Sequence, residues 1–272
     1  MMTRQRDPMA ESIFWCITSG KGGVGKTCLA VNLAFALARL DKRVLLVDGD
    51  LGLANVDVLL GLEVRATVRD ILDQGADPSK TVIPVHPNLG VLPASSGVPE
   101  MANLGPEDQA VLGEMLKSVA APFDHVLVDT AAGLSQAVLW FNTLSHCSLV
   151  VVTPDPTALT DAYALIKVLA RHYQHDQFQV ILNSVQGEQE ASKTFETLAQ
   201  AARKFLNLRL DYLGSVPADP AVKKALRAQV SFLEQFPQAK ASLAVKIIAD
   251  RMVRLVQHLP SARAINPEVH AI

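Results

Sequence analysis

Residues Ser19 to Thr27 read Ser-Gly-Lys-Gly-Gly-Val-Gly-Lys-Thr, four glycines with two lysines and a closing hydroxyl. From Gly20 to Thr27 they fit G-x-x-x-x-G-K-[ST], a spacing that cradles phosphate. Gly20, Gly22, Gly23 and Gly25 have no side chain to block approach, so backbone N–H groups can turn inward onto phosphate oxygens. Lys26 is expected on the β- and γ-phosphates and the Thr27 hydroxyl on Mg²⁺. Val24 and Cys28 complete the expected nucleotide-binding stretch. Lys21 is a second cation in a loop that needs only one, which points to a site completed by a neighbouring subunit.

Acidic residues end two apolar runs. Val44 to Val47 leads into Asp48-Gly49-Asp50, and Val126 to Val128 leads into Asp129. In a parallel α/β sheet ligands lie beyond the carboxyl ends of the strands, so these acids suit Mg²⁺ and water. Asp48 and Asp50 read equally as an Asp/Gly-rich turn, and Asp129 as an ordinary strand-to-helix turn. Gly133, after small residues, could bring its N–H close to a γ-phosphate. Asn183 follows Val180-Ile181-Leu182, and its amide suits an adenine edge or a helix cap. Pro217 and Asp219, in Val216-Pro217-Ala218-Asp219, carry the same two readings.

The elements that must position these residues alternate along the chain. Expected strands are 13–18, 43–47, 89–92, 125–128, 149–152, 179–182 and 210–213. Expected helices are 26–40, 68–72, 106–120, 134–144, 160–172, 190–206, 220–227 and 239–258. Thr160 is read as a helix cap and Tyr163 as a packing residue. Residues 81–105, with four prolines, are read as loop with one short strand. Together this predicts an α/β fold, a mostly parallel twisted sheet flanked by helices on both faces. Residues 1–12 are expected to be a flexible segment, 13–258 a single domain and 259–272 a tail.

Composition narrows the class. Hydrophobic residues make up 49% and charged residues 19%, which supplies a sizeable core. The net charge of −2 gives no global pull toward nucleic acid. Cys16, Cys28 and Cys147 form no C-x-x-C pair, so neither a zinc site nor a disulfide framework is expected, and a cytoplasmic setting is. Residues 1–12 are too polar for a signal peptide, and no apolar run is long enough for a membrane span. The histidines, His86, His125, His146, His172 and His175 among them, form no ligand spacing.

The Lys21-containing loop resembles the deviant Walker-A motif of the MinD/ParA ATPases. The resemblance extends through Asp48 to Leu62, Pro93 to Gly97, Asp129 to Leu134 and Thr153 to Lys167. Ala54-Asn55-Val56-Asp57 and Thr160-Asp161-Ala162-Tyr163-Ala164-Leu165-Ile166-Lys167 look more like the FlhG (FleN) flagellar-number regulators than like MinD. It implies ATP-driven dimerisation, with Lys21 reaching the partner's phosphates. Asp50 would then act on the attacking water, Asp48 would support Mg²⁺, and Asn183, Pro217 and Asp219 would surround adenine. It also implies a homodimer with ATP, an AAA+ activator of the FleQ type and the GTPase FlhF as partners. A peripheral position at the membrane or cell pole is implied too.

Two departures stand out. Met1 to Glu11 lacks the Asp-Gln-Ala-type segment that many such proteins carry, which puts stimulation of FlhF in doubt. Met252, Val253, Leu255, Val256 and Leu259, with Arg251 and Arg254, fit an amphipathic membrane helix or, better, the last core helix. Three other readings remain: division-site positioning, DNA partition through Lys223, Lys224 and Arg227, and a nucleotide-gated binding module whose hydrolysis is incidental. No sequence-specific nucleic acid is expected. An iron–sulfur electron carrier is excluded, because the cysteines are not paired for a cluster.

Overall fold

Strand β1 (Ile13–Ser19) sends Trp15 and Ile17 to one side and Phe14 and Cys16 to the other. The two sets join separate apolar clusters, one on each face of a sheet. The same period-two alternation divides Val44 and Leu46 from Leu45 and Val47 in β2 (Val44–Gly49). Each fully buried aliphatic side chain stabilises by about 1.5–3 kcal/mol, so a one-residue slip would expose a whole row.

The computed structural model describes residues 11–51, 55–67, 70, 78–94 and 105–259. After β1 come α1 (Lys26–Arg39), β2, α2 (Val56–Leu60), α3 (Pro78–Thr81), β3 (Ile83–His86), β4 (Leu89–Leu92) and α4 (Pro106–Ala120). The chain continues through β5 (His125–Ala132), α5 (Gln136–Leu144), β6 (Cys147–Val152), α6 (Pro156–His172), β7 (Phe178–Val185) and α7 (Glu188–Leu206). It closes with β8 (Asp211–Pro217), α8 (Pro220–Arg227), α9 (Phe232–Gln235), α10 (Lys240–Leu255) and a 3₁₀ turn at Val256–His258. The described strands form one sheet in the order β3-β4-β2-β5-β1-β6-β7-β8. Every neighbouring pair is parallel except β3 with β4. The carboxyl ends of β1, β2 and β5 therefore meet at the centre of the sheet, which is where the acids and the glycine loop emerge.

Several expectations are corrected. The described residues 81–94 hold two strands where one was expected, because Pro84 is tolerated on the outermost strand, where no further partner needs its missing N–H. Helix α6 starts four residues before Thr160: Asp155 caps it by accepting from Thr157 N at 2.7 Å, and Pro156 takes the first turn. The Thr160 hydroxyl instead donates to Pro156 O inside the helix. Helices α2, α3 and α9 were not anticipated, since four or five residues carry too little periodicity. The expected helix 68–72 lies, Asp70 apart, outside the described residues, as do the N-terminal residues 1–10 and most of the tail.

Helix α10 buries Val245, Ile248, Ala249 and Met252, and Val253, Leu255 and Val256 pack against the same cluster. Its apolar stripe thus faces the protein. Among the described residues no helix is long and apolar enough to cross a membrane.

Two histidines at the amino end of the sheet act as neutral acceptors. Trp15 Nε1 donates to His125 Nδ1 at 3.1 Å, and Phe14 N to His146 Nδ1 at 3.0 Å. Burial pushes His125 down to about 4, against the opposing charge of Asp124. A base with a lowered folded-state pKa takes its proton preferentially in the unfolded chain, so its stabilisation is lost as pH falls from about 6.5 to 4. His125→Gln, which keeps an acceptor for the indole, is expected to flatten the acid limb of the unfolding free energy against pH by up to about 1.4 kcal/mol per pH unit. The check is the wild-type minus variant difference between pH 7 and pH 4, where other groups cancel.

Candidate nucleotide and metal site

The loop between β1 and α1 is held from three sides. Ser19 Oγ donates to Lys21 O at 2.7 Å. Asn183 Nδ2, from the end of β7, donates to Val24 O at 2.7 Å. Gly20 lies against the backbone of α6, where a Cβ would fall on the Asp161 carbonyl. Gly25 takes a left-handed φ of 91°, and its missing side chain makes room for the Asn183 amide. No side chain caps α1, so its first N–H groups and its positive dipole end face the loop interior.

Lys26 is buried at the start of α1, and burial lowers its pKa while Asp129 and Asp50 oppose the shift. Asp48 and Asp129 stand opposite each other on β2 and β5, both buried. Asp48 accepts from three backbone amides, Asp50 N at 3.1 Å, Asn55 N at 2.9 Å and Val56 N at 3.1 Å. Burial nevertheless holds its carboxyl up, to about 6. Asp129 is raised further, to about 8, by burial and then by the neighbouring Asp48 charge. The Thr27 side chain hydrogen-bonds this carboxyl, but its Oδ1 has no hydrogen-bond partner. An acceptor buried without a partner costs about 1–3 kcal/mol. A hydroxyl and two carboxylates are hard oxygen donors, which fit Mg²⁺. Among the described residues no cluster of His, Cys, Asp or Glu could hold a metal by itself, so phosphate and water would complete the shell.

Beyond the loop lies an open cavity of about 300 Å³ lined by Val24, Cys28, Asn183, Pro217, Asp219 and Phe232 among others. It has the size of a small-ligand pocket. Burial pushes the Cys28 thiol up to about 12, so Cys28 is an apolar wall and not a nucleophile.

Three expectations change in detail. The Asn183 amide N–H₂ points into the loop, buttressing it, instead of waiting for a base. Asp219 lines the cavity, yet its carboxylate is engaged by Ala221 N at 2.9 Å and Ala241 N at 3.1 Å, capping α8 and tying it to α10. The Gly133 N–H is given to Ser19 O at 2.9 Å, which binds the end of β5 to β1 and leaves that donor unavailable to phosphate.

Lys21, at the surface, folds back onto the start of α6. Its Nζ lies 3.0 Å from Asp155 Oδ2 and also donates to Thr157 Oγ1. Hydrogen bonds from Thr157 and then from Lys21 hold the Asp155 carboxyl well below the usual carboxylate range. This partner was not anticipated, although Asp155-Pro156 is a helix-start signal that would have brought the first turn of α6 to the loop.

Along most of its length the chain is similar to proteins of one family. The model of the ParA family, described as "NUBPL iron-transfer P-loop NTPase", matches residues 12–253. The antiactivator FleN of Pseudomonas aeruginosa is 41% identical over 236 residues, 87% of this chain and 84% of that one. The flagellum site-determining protein YlxH of Helicobacter pylori is 33% identical over 251 residues, 91% and 84% of the two chains. Among solved structures, the septum site-determining protein MinD of Pyrococcus horikoshii, complexed with Mg-ADP, superposes with a TM-score of 0.76 at 24% identity. That match covers 90% of this chain and 97% of the other, and shows the shared fold. ATP and Mg²⁺ are the substrate and cofactor of P-loop NTPases of this kind, and the loop, the acids and the hydroxyl are present to receive them. The chain belongs to the MinD/ParA family of P-loop ATPases, in the branch that contains FleN and YlxH.

Proposed function

We propose that this ATPase is a dimerising switch that controls flagellar number and biosynthesis. The observation that carries the chemistry is the convergence of Lys26, Thr27, Asp48 and Asp129 beneath the loop, with Asp129 Oδ1 left without a partner. The flagellar assignment is supported by the names of the relatives, an antiactivator and a flagellum site-determining protein.

In this reading the N–H groups of the glycine loop bind phosphate oxygens and Lys26 neutralises the charge that develops on them. Thr27, Asp48 and Asp129 hold Mg²⁺, which when bound supplies charge neutralisation. Asp50, beside Asp48, orients the attacking water and draws on its proton. Val24, Cys28, Asn183 and Pro217 enclose the base, while Asp219 keeps the wall of that cavity in register. Lys21 exchanges Asp155 and Thr157 for the partner subunit's phosphates, so that dimerisation follows ATP and hydrolysis reverses it. A FleQ-type activator and the GTPase FlhF are the proposed partners, and a peripheral position at the membrane or pole is the proposed location.

Asp50→Ala tests the cycle. Hydrolysis is expected to fall at least about 100-fold, the scale of a lost acid–base group, while ATP-bound dimers persist. Unchanged turnover would remove Asp50 from the reaction. A variant that is silent in hydrolysis yet still releases its partners on schedule would make hydrolysis incidental.

A further inference from the structure

Helix α2 is tied at two places, and only one of them belongs to the site described above. Asp48 collects the amides of Asp50, Asn55 and Val56, so the start of α2 is strung on a site carboxylate. In the middle of α2, Val58 O accepts from Gln229 Nε2 at 2.7 Å. Gln229 follows α8, whose Val222, Lys223 and Leu226 line the cavity beyond the loop. A single short helix thus connects the wall of the base cavity to the carboxylates beneath the phosphate loop.

The backbone at Gln229 closes α8 in a left-handed conformation, as that of Asn207 closes α7. It takes a left-handed φ of 55°, a conformation that disfavours a side chain with a Cβ. Glycine would relax this turn, yet the chain keeps a long amide there, aimed at α2. Gly61, which ends α2, has a φ of 60° and lies beside Gln229, where a Cβ would make only ordinary van der Waals contact. A residue other than glycine at positive φ is a reason to look for a task, and here the side chain has one.

We infer that Gln229 is a positioning residue that couples occupancy of the base cavity to the placement of Asp50, acting through α2 and Asp48. This rests on the reading of Asp48 and Asp50 as site acids. With base bound, α8 is fixed, Gln229 holds α2, and Asp50 stays in one arrangement. Without the Gln229 contact α2 keeps its Asp48 tether and the packing of Val56, Leu59 and Leu60 on the core but loses its link to α8, and Asp50 spends less time in the productive position.

Single-turnover hydrolysis of Mg-ATP, ATP affinity and thermal stability are measured on the full chain for wild type, Gln229→Gly, Gln229→Glu, Gln229→Lys and Asp50→Ala. Gln229→Gly and Gln229→Glu, which lack the donor, should hydrolyse about 2- to 10-fold more slowly, the range that one neutral hydrogen bond spans. ATP affinity should stay within about twofold, because the loss concerns the reacting geometry and not uniform binding. Gln229→Gly should melt no lower than wild type, since glycine suits the positive φ, so slow turnover there is not a folding defect. Gln229→Lys restores a donor and should recover part of the rate. Wild-type rates in Gln229→Gly and Gln229→Glu, with Asp50→Ala inactive, would overturn the coupling and leave the acid reading intact. Weaker ATP binding at an unchanged rate would overturn it too, leaving Gln229 as part of the base cavity alone. If Asp50→Ala also hydrolyses normally, the acid reading itself falls, and the coupling with it.

Discussion

Asp129→Asn is expected to melt at a higher temperature than wild type without nucleotide, and to lose hydrolysis. The carboxyl is buried, faces Asp48 on the next strand and has one oxygen without a partner. Burial first and the Asp48 charge second raise it to about 8. A carboxyl whose folded pKa exceeds its unfolded value favours folding fully below the unfolded value, near 3.8, and loses that contribution as pH rises through about 8. The amide has no charge to desolvate, so the variant should gain most at pH 8.5 and little at pH 4. The expected gain is about 1–3 kcal/mol, or roughly 2–4 °C per kcal/mol for a domain of this order. Hydrolysis should fall at least about 100-fold, beyond the 10–100-fold that outer partners of a metal site cost. Mg-ATP should stabilise wild type far more than the variant. Thermal melts at several pH values, with and without Mg-ATP, check all three. A variant less stable than wild type at pH 8.5 would mean that Asp129 holds the fold and not a cation.

Gly20→Ala is expected to damage the loop as severely as loss of a charged residue. A Cβ there meets the Asp161 carbonyl oxygen and the Ala162 amide, both backbone atoms of α6 that cannot swing aside. Either the loop or the helix must move, at a cost typical of overpacking, about 1–3 kcal/mol. ATP affinity should drop at least about tenfold, because the N–H groups that cradle phosphate move with the loop. Gly22→Ala is the control: nothing lies within 4 Å of its Cβ, so stability should stay within about 0.5 kcal/mol of wild type. ATP titration and thermal melts of the two variants, compared directly, decide it. Equal behaviour would show that the contact with α6 does not position the loop.

Much of this was legible in the residues themselves, and the limits have physical causes. The alternation of Trp15 and Ile17 with Phe14 and Cys16 announces a strand buried on both faces. Asp48 and Asp129, each ending an apolar run, could be assigned to the carboxyl edge of a parallel sheet, whereas their facing each other on neighbouring strands depends on the strand order. The hydrogen-bond partners were not readable. Asn183 and Asp219 are amide and acid at the ends of strands, and either could serve a base or the backbone. Only the fold shows that Val24 O lies nearest the first and two helix N-termini nearest the second. Asp155 escaped for a related reason: its nearest competitor as a cap, Thr160, lies on the same helix, and the cap with proline after it wins. Gln229 carried no local signal, since its task depends on a contact with a carbonyl far away in the chain.

The central claim is that Lys21, held in the single chain by Asp155 and Thr157, leaves them to bring two subunits together over ATP. Size-exclusion chromatography with light scattering, on wild type and Lys21→Ala with ATP, with ADP and with neither, tests it most directly. Wild type is expected to be a dimer with Mg-ATP alone, and Lys21→Ala a monomer throughout. A wild type that stays monomeric with ATP at high protein concentration, or a Lys21→Ala that dimerises as well as wild type, would contradict it.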